Sequence, residues 1–383
     1  MTTTMSNLPK DLVHEIVSRV PMKYMRAVRL TCKNWNALFE SRSLKKTHID
    51  KEEEASRELG ETRILGMMDY NVYLTGITVN DNPTIEPLAL GKLTCLDEQV
   101  KIYQVFHCEG LLLCILKDDD TKIVVCNPYL GQTRWIHTRT YYPKSKWKGR
   151  YVYNYAFGYK TNSPKILRFM DDFSFNIKNS ALVYELYDFD TDLWTTLDVA
   201  PNWRTIVPHA GLSIKGNTYW CAIEQEEYET IDQIICFDFT RERFGPLLPL
   251  PVTAGSHVRF ASLSSVREEK IGALFRTRDT TFLQVDIWIT TKIDALNVSW
   301  SHFFTVNMPS YLGRMFFCTT FFIDEEKKVA VIFKIDKILG NTHISFIGEA
   351  GCLRKLEVGE YADKTCWPRV CSYVPSIVQI KQT

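Results

Sequence analysis

The chain of 383 residues is almost electrically neutral, with 46 basic and 45 acidic side chains, and 45% of its residues are hydrophobic. This composition is ordinary for a globular protein with two or three domains, and the charge balance excludes a general attraction to nucleic acid. Aromatic residues make up 13%, which favours a β-rich body with large buried rings. No stretch reaches the roughly 18 consecutive apolar residues of a membrane span, so we expect no membrane partner.

The eleven cysteines are an odd number, and no two of them have the Cys-x-x-Cys spacing. Several lie inside apolar runs, where a free thiol behaves as a small buried hydrophobic side chain. This pattern predicts a reducing compartment, with neither disulfides nor a metal site. The N-terminus lacks the apolar core of a secretory signal. We therefore expect an intracellular protein of the nucleus and/or cytoplasm that needs no cofactor.

The first 40 residues have the pattern of short helices. Pro9 is compatible with a first helical turn, and Pro21 ends the first helix. An apolar stripe at helical spacing lies between them, formed by Leu12, Val13, Ile16, Val17 and Val20. Two further helices are predicted around Val28 and Trp35. Because a segment of this size buries few side chains by itself, part of this apolar surface needs a partner or the rest of the chain.

The order of residues here resembles the F-box of plant proteins. Leu-Pro-x-Asp-Leu-Val starts at Leu8, Ile-x-Ser-Arg-Val-Pro at Ile16, and Arg-Leu-Thr-Cys-Lys-x-Trp-Asn-x-Leu at Arg29. The resemblance implies docking on a Skp-family adaptor that bridges to a cullin. The chain would then be the substrate receptor of an SCF-type ubiquitin ligase. The adaptor-binding residues so implied are Leu8, Pro9, Leu12, Ile16, Val20, Pro21, Val28, Cys32 and Trp35.

A charged run follows at residues 51–58 and contains few apolar side chains. It predicts a solvated linker or an exposed helix. We therefore divide the chain into an F-box at 6–47, a charged linker at 48–62 and a β body at 63–383. The fold class predicted is α+β multidomain, with a small three-helix F-box followed by an all-β body.

The β body repeats one theme, in which a strand, a turn rich in Asp or Asn and a second strand carrying an aromatic residue follow one another. Copies begin near residues 123, 182, 234 and 285, and a weaker one begins near 321. Asp188, Asp238 and Trp288 are about 50 residues apart, which is typical of a propeller of the kelch kind. A hairpin at 211–222 adds two strands to one copy, which gives the four strands of a blade. A β-sandwich with irregular repeats is the alternative.

Residues 127–135, 156–159, 216–220 and 237–244 carry a second resemblance. They are similar to the type-one F-box-associated interaction domain, most clearly over residues 100–306. In that family this region is thought to hold the substrate, but the resemblance implies neither a particular target nor particular substrate-binding residues.

No catalytic motif stands out, since there is no Gly-x-Ser-x-Gly, no HExxH and no phosphate-binding glycine loop. His107-Cys108 stands at a strand edge, where a structural histidine is the better interpretation. The aspartates at 118–120 are interpreted as a solvated turn. We predict a protein that is not an enzyme. Two alternatives remain: an adaptor-binding scaffold or regulator outside a ligase, and a propeller enzyme of the glycosidase class with paired carboxylates.

Two loops of the β body are candidates for binding a protein target. Residues 141–150 mix aromatic and basic side chains, and residues 224–229 are acidic. Exposed Trp and Tyr provide a large contact area, and charges at the rim orient a partner. Single-stranded nucleic acid is a weaker alternative for the first loop. The target-binding residues predicted are Tyr142, Trp147, Arg150, Glu226 and Glu227.

Overall fold

The computed structural model describes residues 9–20, 28, 41–79, 91–92, 96, 99–139, 152–160, 163–171, 183–199, 201–205, 211–224, 233–251, 258–278, 282–309, 320–336, 341–360 and 369–380. Two helices come first, α1 (Lys10–Val17) and α2 (Arg42–Glu58), and β-strands follow. Within these ranges, neither helix has the length and apolarity needed to cross a bilayer.

The strands form six antiparallel sheets, which we number as blades in chain order. Blade 1 contains β1 (Glu61–Met68), β2 (Asn71–Thr78), β3 (Gly91–Lys92) and the last strand, β26 (Arg369–Ser372). Blade 2 contains β4 (Ile102–Cys108), β5 (Leu111–Leu116), β6 (Lys122–Asn127) and β7 (Gln132–His137). Blade 3 contains β8 (Val152–Lys160), β9 (Ser163–Asp171), β10 (Tyr184–Asp188) and β11 (Leu193–Leu197).

The remaining three blades follow the same plan, with extra short strands in blade 4. Blade 4 contains β12 (Trp203–Thr205), β13 (Leu212–Ile214), β14 (Asn217–Glu224), β15 (Gln233–Asp238), β16 (Arg243–Phe244) and β17 (Leu248–Pro249). Blade 5 contains β18 (Val258–Val266), β19 (Lys270–Arg278), β20 (Phe282–Ile293) and β21 (Val298–Pro309). Blade 6 contains β22 (Thr320–Asp324), β23 (Val329–Asp336), β24 (Asn341–Gly348) and β25 (Gly351–Glu360).

Hydrophobic clusters between neighbouring blades join the sheets into a closed ring. Each adjacent pair of blades shares one cluster of buried side chains, including the pair formed by blades 6 and 1. Large rings fill these clusters, such as Tyr187 between blades 2 and 3 and Trp220 between blades 3 and 4. The body is therefore a six-bladed β-propeller. This confirms the predicted propeller and excludes the β-sandwich.

The two ends of the β body meet in blade 1. β26 pairs with β1 in antiparallel register, so that Ile64 lies opposite Ser372 and Met67 lies opposite Arg369. The ring is thus closed by main-chain hydrogen bonds between the first strands of the β body and β26.

The predicted repeat theme coincides with the last two strands of blades 2, 3 and 5 and with β15–β16 of blade 4. The copies near 123, 182, 234 and 285 are β6–β7, β10–β11, β15–β16 and β20–β21, and the predicted hairpin is β13–β14. The fifth, weaker copy near 321 is also a hairpin, β22–β23, but it forms the first two strands of blade 6. Its outer pair, β24–β25, turns at Gly348–Gly351. All these units are antiparallel hairpins with polar turns, so the sequence pattern does not show whether a hairpin forms the first two or the last two strands of a blade.

The charged segment predicted as a linker at 48–62 is mostly helical. α2 runs without interruption through residues 42–58, and only Leu59 and Gly60 separate it from β1. Glu, Lys, Arg and Ala favour helix, and α2 is anchored at its start by the buried Leu44. Farther along, Glu52 forms an ion pair with Arg63 of β1. The helices and the propeller are consequently joined without an extended connection.

The propeller has two distinct faces because antiparallel strands reverse direction at each turn. In blades 2, 3, 5 and 6, the turns after the first and third strands lie on one face, and the turns after the second and fourth strands lie on the other. In blade 4, the β13–β14 and β15–β16 turns lie on the first of these faces, and the β14–β15 connection lies on the second. The turn at residues 128–131, between β6 and β7, contacts α1 and α2. We call the face with this turn the helical face and the opposite one the far face.

Candidate functional site: a two-sided helix on the propeller

α1 buries one side and exposes the other. Val13 and Val17 are 6% and 0% exposed, whereas Leu12 and Ile16 are 51% and 39% exposed. Each pair is spaced by four residues, so each forms its own ridge along the helix. Pro9 precedes the helix at the N-cap position with an extended backbone, one residue earlier than the predicted first turn. The helix therefore presents two large apolar side chains to solvent although its buried side is already occupied.

The buried side of α1 packs on a small cluster shared with the propeller. Val13 and Val17 contact Leu44 of α2 and, from the β6–β7 turn, Tyr129 and Leu130. Partly buried side chains complete the cluster: Val20, Val28, Ile49 and Ile377. We call the three propeller residues Tyr129, Leu130 and Ile377 the helix seat. Leu44 is fully buried in this contact.

A buried histidine connects α2, the end of α1 and the seat. His48 is 1% exposed, and its Nε2 lies 2.6 Å from the carbonyl oxygen of Val20. A carbonyl only accepts, so Nε2 carries the proton, and Nδ1 lies 3.2 Å from the Tyr129 hydroxyl, which also lies 3.4 Å from the carbonyl oxygen of Lys45. Burial lowers the pKa of His48. The neutral ring is therefore the form that satisfies this joint.

Charged side chains link the two helices beside the exposed ridge. The Glu15 carboxylate accepts hydrogen bonds from Lys51 of α2 and from Arg19, both at 2.8 Å. The hydrogen bond from Lys51, followed by that from Arg19, lowers the pKa of Glu15. Lys51 also donates to the Ser18 hydroxyl at 2.9 Å. Glu15 and Arg19 lie on the same side of α1 as Ile16, so the exposed ridge has a charged border.

The predicted adaptor-binding residues fall into three groups. Pro9, Leu12 and Ile16 are exposed. Val20 and Val28 are partly buried against the helix-seat cluster. The others lie outside the described residues: Leu8, Pro21, Cys32 and Trp35.

All five predicted target-binding residues lie outside the described residues: Tyr142, Trp147, Arg150, Glu226 and Glu227. The strand ends that flank them are described. The first loop connects the end of β7 to the start of β8, and the second connects the end of β14 to the start of β15. Both pairs of strand ends lie on the far face, opposite the helices.

The candidate catalytic groups have structural roles. The His107 side chain is 5% exposed, with Nδ1 2.8 Å from Glu268 and Nε2 accepting from the Gly110 amide at 3.1 Å. Asp119 accepts from the Thr121 amide at 2.9 Å, as expected for a turn. Among the described residues, no group of three or more His, Cys, Asp or Glu side chains is arranged to hold a metal ion.

A shallow cleft between blades 4 and 5 also lacks the groups required by a glycosidase. It is lined by Asp238, Arg241, Arg243, Phe244, Gly245, Pro246, Ala295 and Leu296. Asp238 accepts from the amides of Thr240 and Arg241 at 2.9 and 3.0 Å. Among these described lining residues there is no second carboxylate to face Asp238, so the cleft does not carry the catalytic pair.

The sequence analysis missed the helix seat. Tyr129 and Leu130 lie within residues 127–135, which carry the second resemblance, and Ile377 lies within the predicted β body, but the sequence pattern gives none of them a role in holding the helices. The available indication was the apolar pair Tyr129-Leu130 inside an Asn-Pro turn that a propeller by itself would leave in solvent.

Comparisons with known proteins agree with this architecture. A family model for the F-box domain matches residues 5–47, and a model for the F-box associated beta propeller domain matches residues 63–380. The chain belongs to the F-box proteins that carry this propeller domain. The F-box therefore includes α1 and the start of α2, and the propeller domain includes all six blades.

Relatives from Arabidopsis thaliana match along nearly the whole chain. One, provisionally named an F-box protein, is 62% identical over 407 residues and covers 100% of this chain and 93% of the relative. Another, named an F-box/kelch-repeat protein, is 49% identical over 401 residues and covers 98% of this chain and 90% of the relative. A third, named Peroxiredoxin-2A, is 60% identical over 395 residues and covers 100% of this chain and 69% of the relative.

Proposed function

We propose that this F-box protein is the substrate-recognition subunit of an SCF-type ubiquitin ligase. It binds a Skp-family adaptor, and through it a cullin, with the F-box, and it holds a protein target on the propeller. The observation that supports this best is the exposed ridge of Leu12 and Ile16. α1 has its buried side on the propeller, so the exposed ridge remains available for a partner.

We place the target on the far face, at the loops 141–150 and 224–229. The strand ends that carry these loops lie opposite the helices, so adaptor and target would not compete for one surface. A rigid β scaffold positions such loops, and Trp and Tyr supply contact area at small entropic cost. Tyr142, Trp147, Arg150, Glu226 and Glu227 remain the residues proposed to contact the target.

Co-purification and ubiquitin transfer test the two parts of this proposal. Changing Leu8 and Pro9 together to Ala should abolish co-purification with the adaptor and leave the propeller folded. Undiminished binding would overturn the adaptor assignment. Adaptor binding by the parent protein without ubiquitin transfer to any captured target would favour the alternative, a scaffold or regulator outside a ligase.

Changing Tyr142 and Trp147 to Ala tests the target site. This variant should capture less target and keep its thermal stability, since exposed changes usually cost under about 0.5 kcal/mol. Its adaptor binding should equal that of the parent. Normal target capture by the folded variant would place the target site elsewhere, and unfolding would show that these rings belong to the core.

A peroxidase function, suggested by the name of one relative, is poorly supported by the described cysteines. A peroxidatic cysteine needs an accessible thiolate. Cys108, Cys114, Cys126, Cys221 and Cys236 are buried, and Cys371 of β26 is partly buried. Burial raises the pKa of the Cys108, Cys221 and Cys236 thiols well above the usual range. These thiols are suited to packing in the core, and we propose that the ligase-receptor role is non-catalytic.

Two finer assignments complete the proposal. We assign the propeller to type one of the F-box-associated domains, on the sequence at residues 127–135. We also place the protein in the nucleus and/or cytoplasm, where buried free thiols such as Cys221 stay reduced.

A further inference from the structure

We infer that the C-terminal segment 373–380 is a strut that fixes the orientation of the F-box on the propeller. Ile377 of this segment and Tyr129 of the β6–β7 turn are the positioning residues. The segment follows β26 and has no regular secondary structure. It lies between blade 2 on one side and the F-box helices on the other. Its role in ubiquitin transfer rests on the proposed function, whereas its role in holding the F-box does not.

Hydrogen bonds between side chains of blade 2 and the main chain of the strut attach the strut to this blade. The Asn127 amide group donates to the carbonyl oxygens of Ser376 at 2.9 Å and Val378 at 2.8 Å. The Ile380 amide donates to the Gln132 side chain at 3.0 Å. Asn127 is fully buried, so losing the strut would leave its amide hydrogens without these acceptors, which is unfavourable for a group removed from water. Blade 2 is therefore built to hold this segment.

The strut also approaches the β4–β5 turn too closely for a side chain. Gly110 has a φ of +75°, and a Cβ added there would lie 2.5 Å from Cβ of Ser376 and 2.6 Å from its backbone nitrogen. The Tyr373 hydroxyl donates to the Gly110 carbonyl at 3.5 Å. Only glycine fits this position, in conformation and in space.

The other side of the strut contacts the F-box. Ile377 packs against the cluster of Val13, Val17 and Leu44, next to Tyr129. The asparagine that holds the strut also orders this turn, because Asn127 Oδ1 accepts from the Leu130 amide at 3.0 Å. One buried side chain thus organises all three members of the helix seat.

Further contacts restrict rotation of the F-box about the seat. His48 joins α2 to the Tyr129 hydroxyl, and the ion pair of Glu52 with Arg63 joins α2 to blade 1. The F-box is held at two separate blades, so the adaptor site and the far face keep one mutual orientation. A variant with a loosened seat should therefore still bind the adaptor and the target, but ubiquitin transfer to the target should be reduced.

Hydrogen exchange of the full-length protein in complex with a Skp-family adaptor tests the strut. Ile377→Asp places a charge in the seat, and it should raise the exchange rate of the α1 amides about tenfold, which corresponds to about 1.4 kcal/mol. Val374→Asp is the matched control, because Val374 lies in the same strut and is 38% exposed. It should leave α1 exchange at the parental rate.

Each outcome decides a separate point. Equal α1 exchange in the Ile377→Asp and Val374→Asp variants would overturn the strut. If Ile377→Asp unfolds the propeller, Ile377→Ala replaces it, because this variant adds no charge. Ile377→Ala should raise the exchange rate of the α1 amides while the thermal midpoint of the propeller stays at the parental value. An α1 exchange rate equal to that of the parent would overturn the strut in this variant too. If the parent protein binds the adaptor, Ile377→Ala should lower ubiquitin transfer to the target without lowering the amount of target captured. Absence of adaptor binding by the parent would instead contradict the proposed function, and α1 exchange of the free variants would then decide the strut alone.

Discussion

The two apolar ridges of α1 allow binding and stability to be separated within one short helix. Leu12 and Ile16 are 51% and 39% exposed, and Val13 and Val17 are 6% and 0% exposed. We expect replacement of Leu12 and Ile16 by Ala to weaken adaptor binding without loosening the fold. Replacement of Val13 and Val17 by Ala should have the reverse primary effect and release the F-box from the helix seat.

The expected magnitudes follow from the areas involved. A Val→Ala change removes two methyl groups, each worth about 0.8 kcal/mol when buried, so the buried pair should lose about 3 kcal/mol of seat stability. A residual cavity would add to this loss. The exposed pair should change stability by no more than about 0.5 kcal/mol. If Leu12 and Ile16 each contribute about 1 kcal/mol to the interface, their joint loss weakens adaptor binding about 30-fold.

Calorimetric titration with purified adaptor measures the binding term, and hydrogen exchange of α1 in the free protein measures the stability term. The valine pair serves as the control for the exposed pair, because both double variants leave two alanines in the same helix. An unchanged adaptor Kd for the Leu12 and Ile16 variant would refute the assignment of the exposed ridge. Equal destabilisation by the two double variants would refute the two-sided description of α1.

Three further predictions concern buried groups. Because burial lowers the pKa of His48 in the folded protein, the contribution of His48 to the stability of the seat should be complete above the unfolded pKa of about 6.5 and decline as the pH falls below it. The α1 amides should therefore exchange faster at pH 5.5 than at pH 7.5, after correction for the intrinsic pH dependence of exchange. Burial raises the pKa of the Cys221 thiol, so iodoacetamide should modify Cys221 far more slowly than the half-buried Cys371 until the protein is denatured, and mass spectrometry of the labelled peptides measures this. Arg168 and Glu185 form an ion pair whose side chains are 1% and 2% exposed, so Arg168→Met should lower the free energy of unfolding by about 3–5 kcal/mol, measured by chemical denaturation. Adding Glu185→Met should recover much of this loss, because no unpaired charge then remains buried. A double variant as unstable as Arg168→Met alone would contradict this prediction.

Periodicity predicted the existence of α1 but not the division of its apolar stripe. Leu12, Val13, Ile16 and Val17 have equivalent positions in the pattern, and hydrophobicity alone ranks them together. Their separation depends on Tyr129 and Ile377, which are distant in sequence from the helix and are brought to it by the fold of the propeller. The fold class followed from local patterns, whereas the two sides of the helix are set by long-range contacts.

The charged run shows the same limit of local patterns, because it is compatible with either a solvated linker or an exposed helix, and the structure has the helix. Residues 51–58 are charged and contain few apolar side chains, so the sequence gives no reason for them to pack. Their helix is instead continued from a buried start at Leu44 and held near its end by the ion pair of Glu52 with Arg63. An ion pair of this kind depends on where the neighbouring strand is placed, which composition does not specify.

The pairing of β26 with β1 also has a consequence for the order of events during synthesis. The ribosome makes the F-box first, but Ile377 of its seat and the strand that closes the ring emerge only after the other strands of all six blades. Until then, Val13 and Val17 have no complete surface to cover them, and the nascent chain carries exposed apolar side chains. A messenger truncated before residue 369 would encode an open ring with an unseated F-box, which cellular quality control would recognise by that exposed surface. Synthesis of β26 is thus a condition for a closed propeller with its F-box in place.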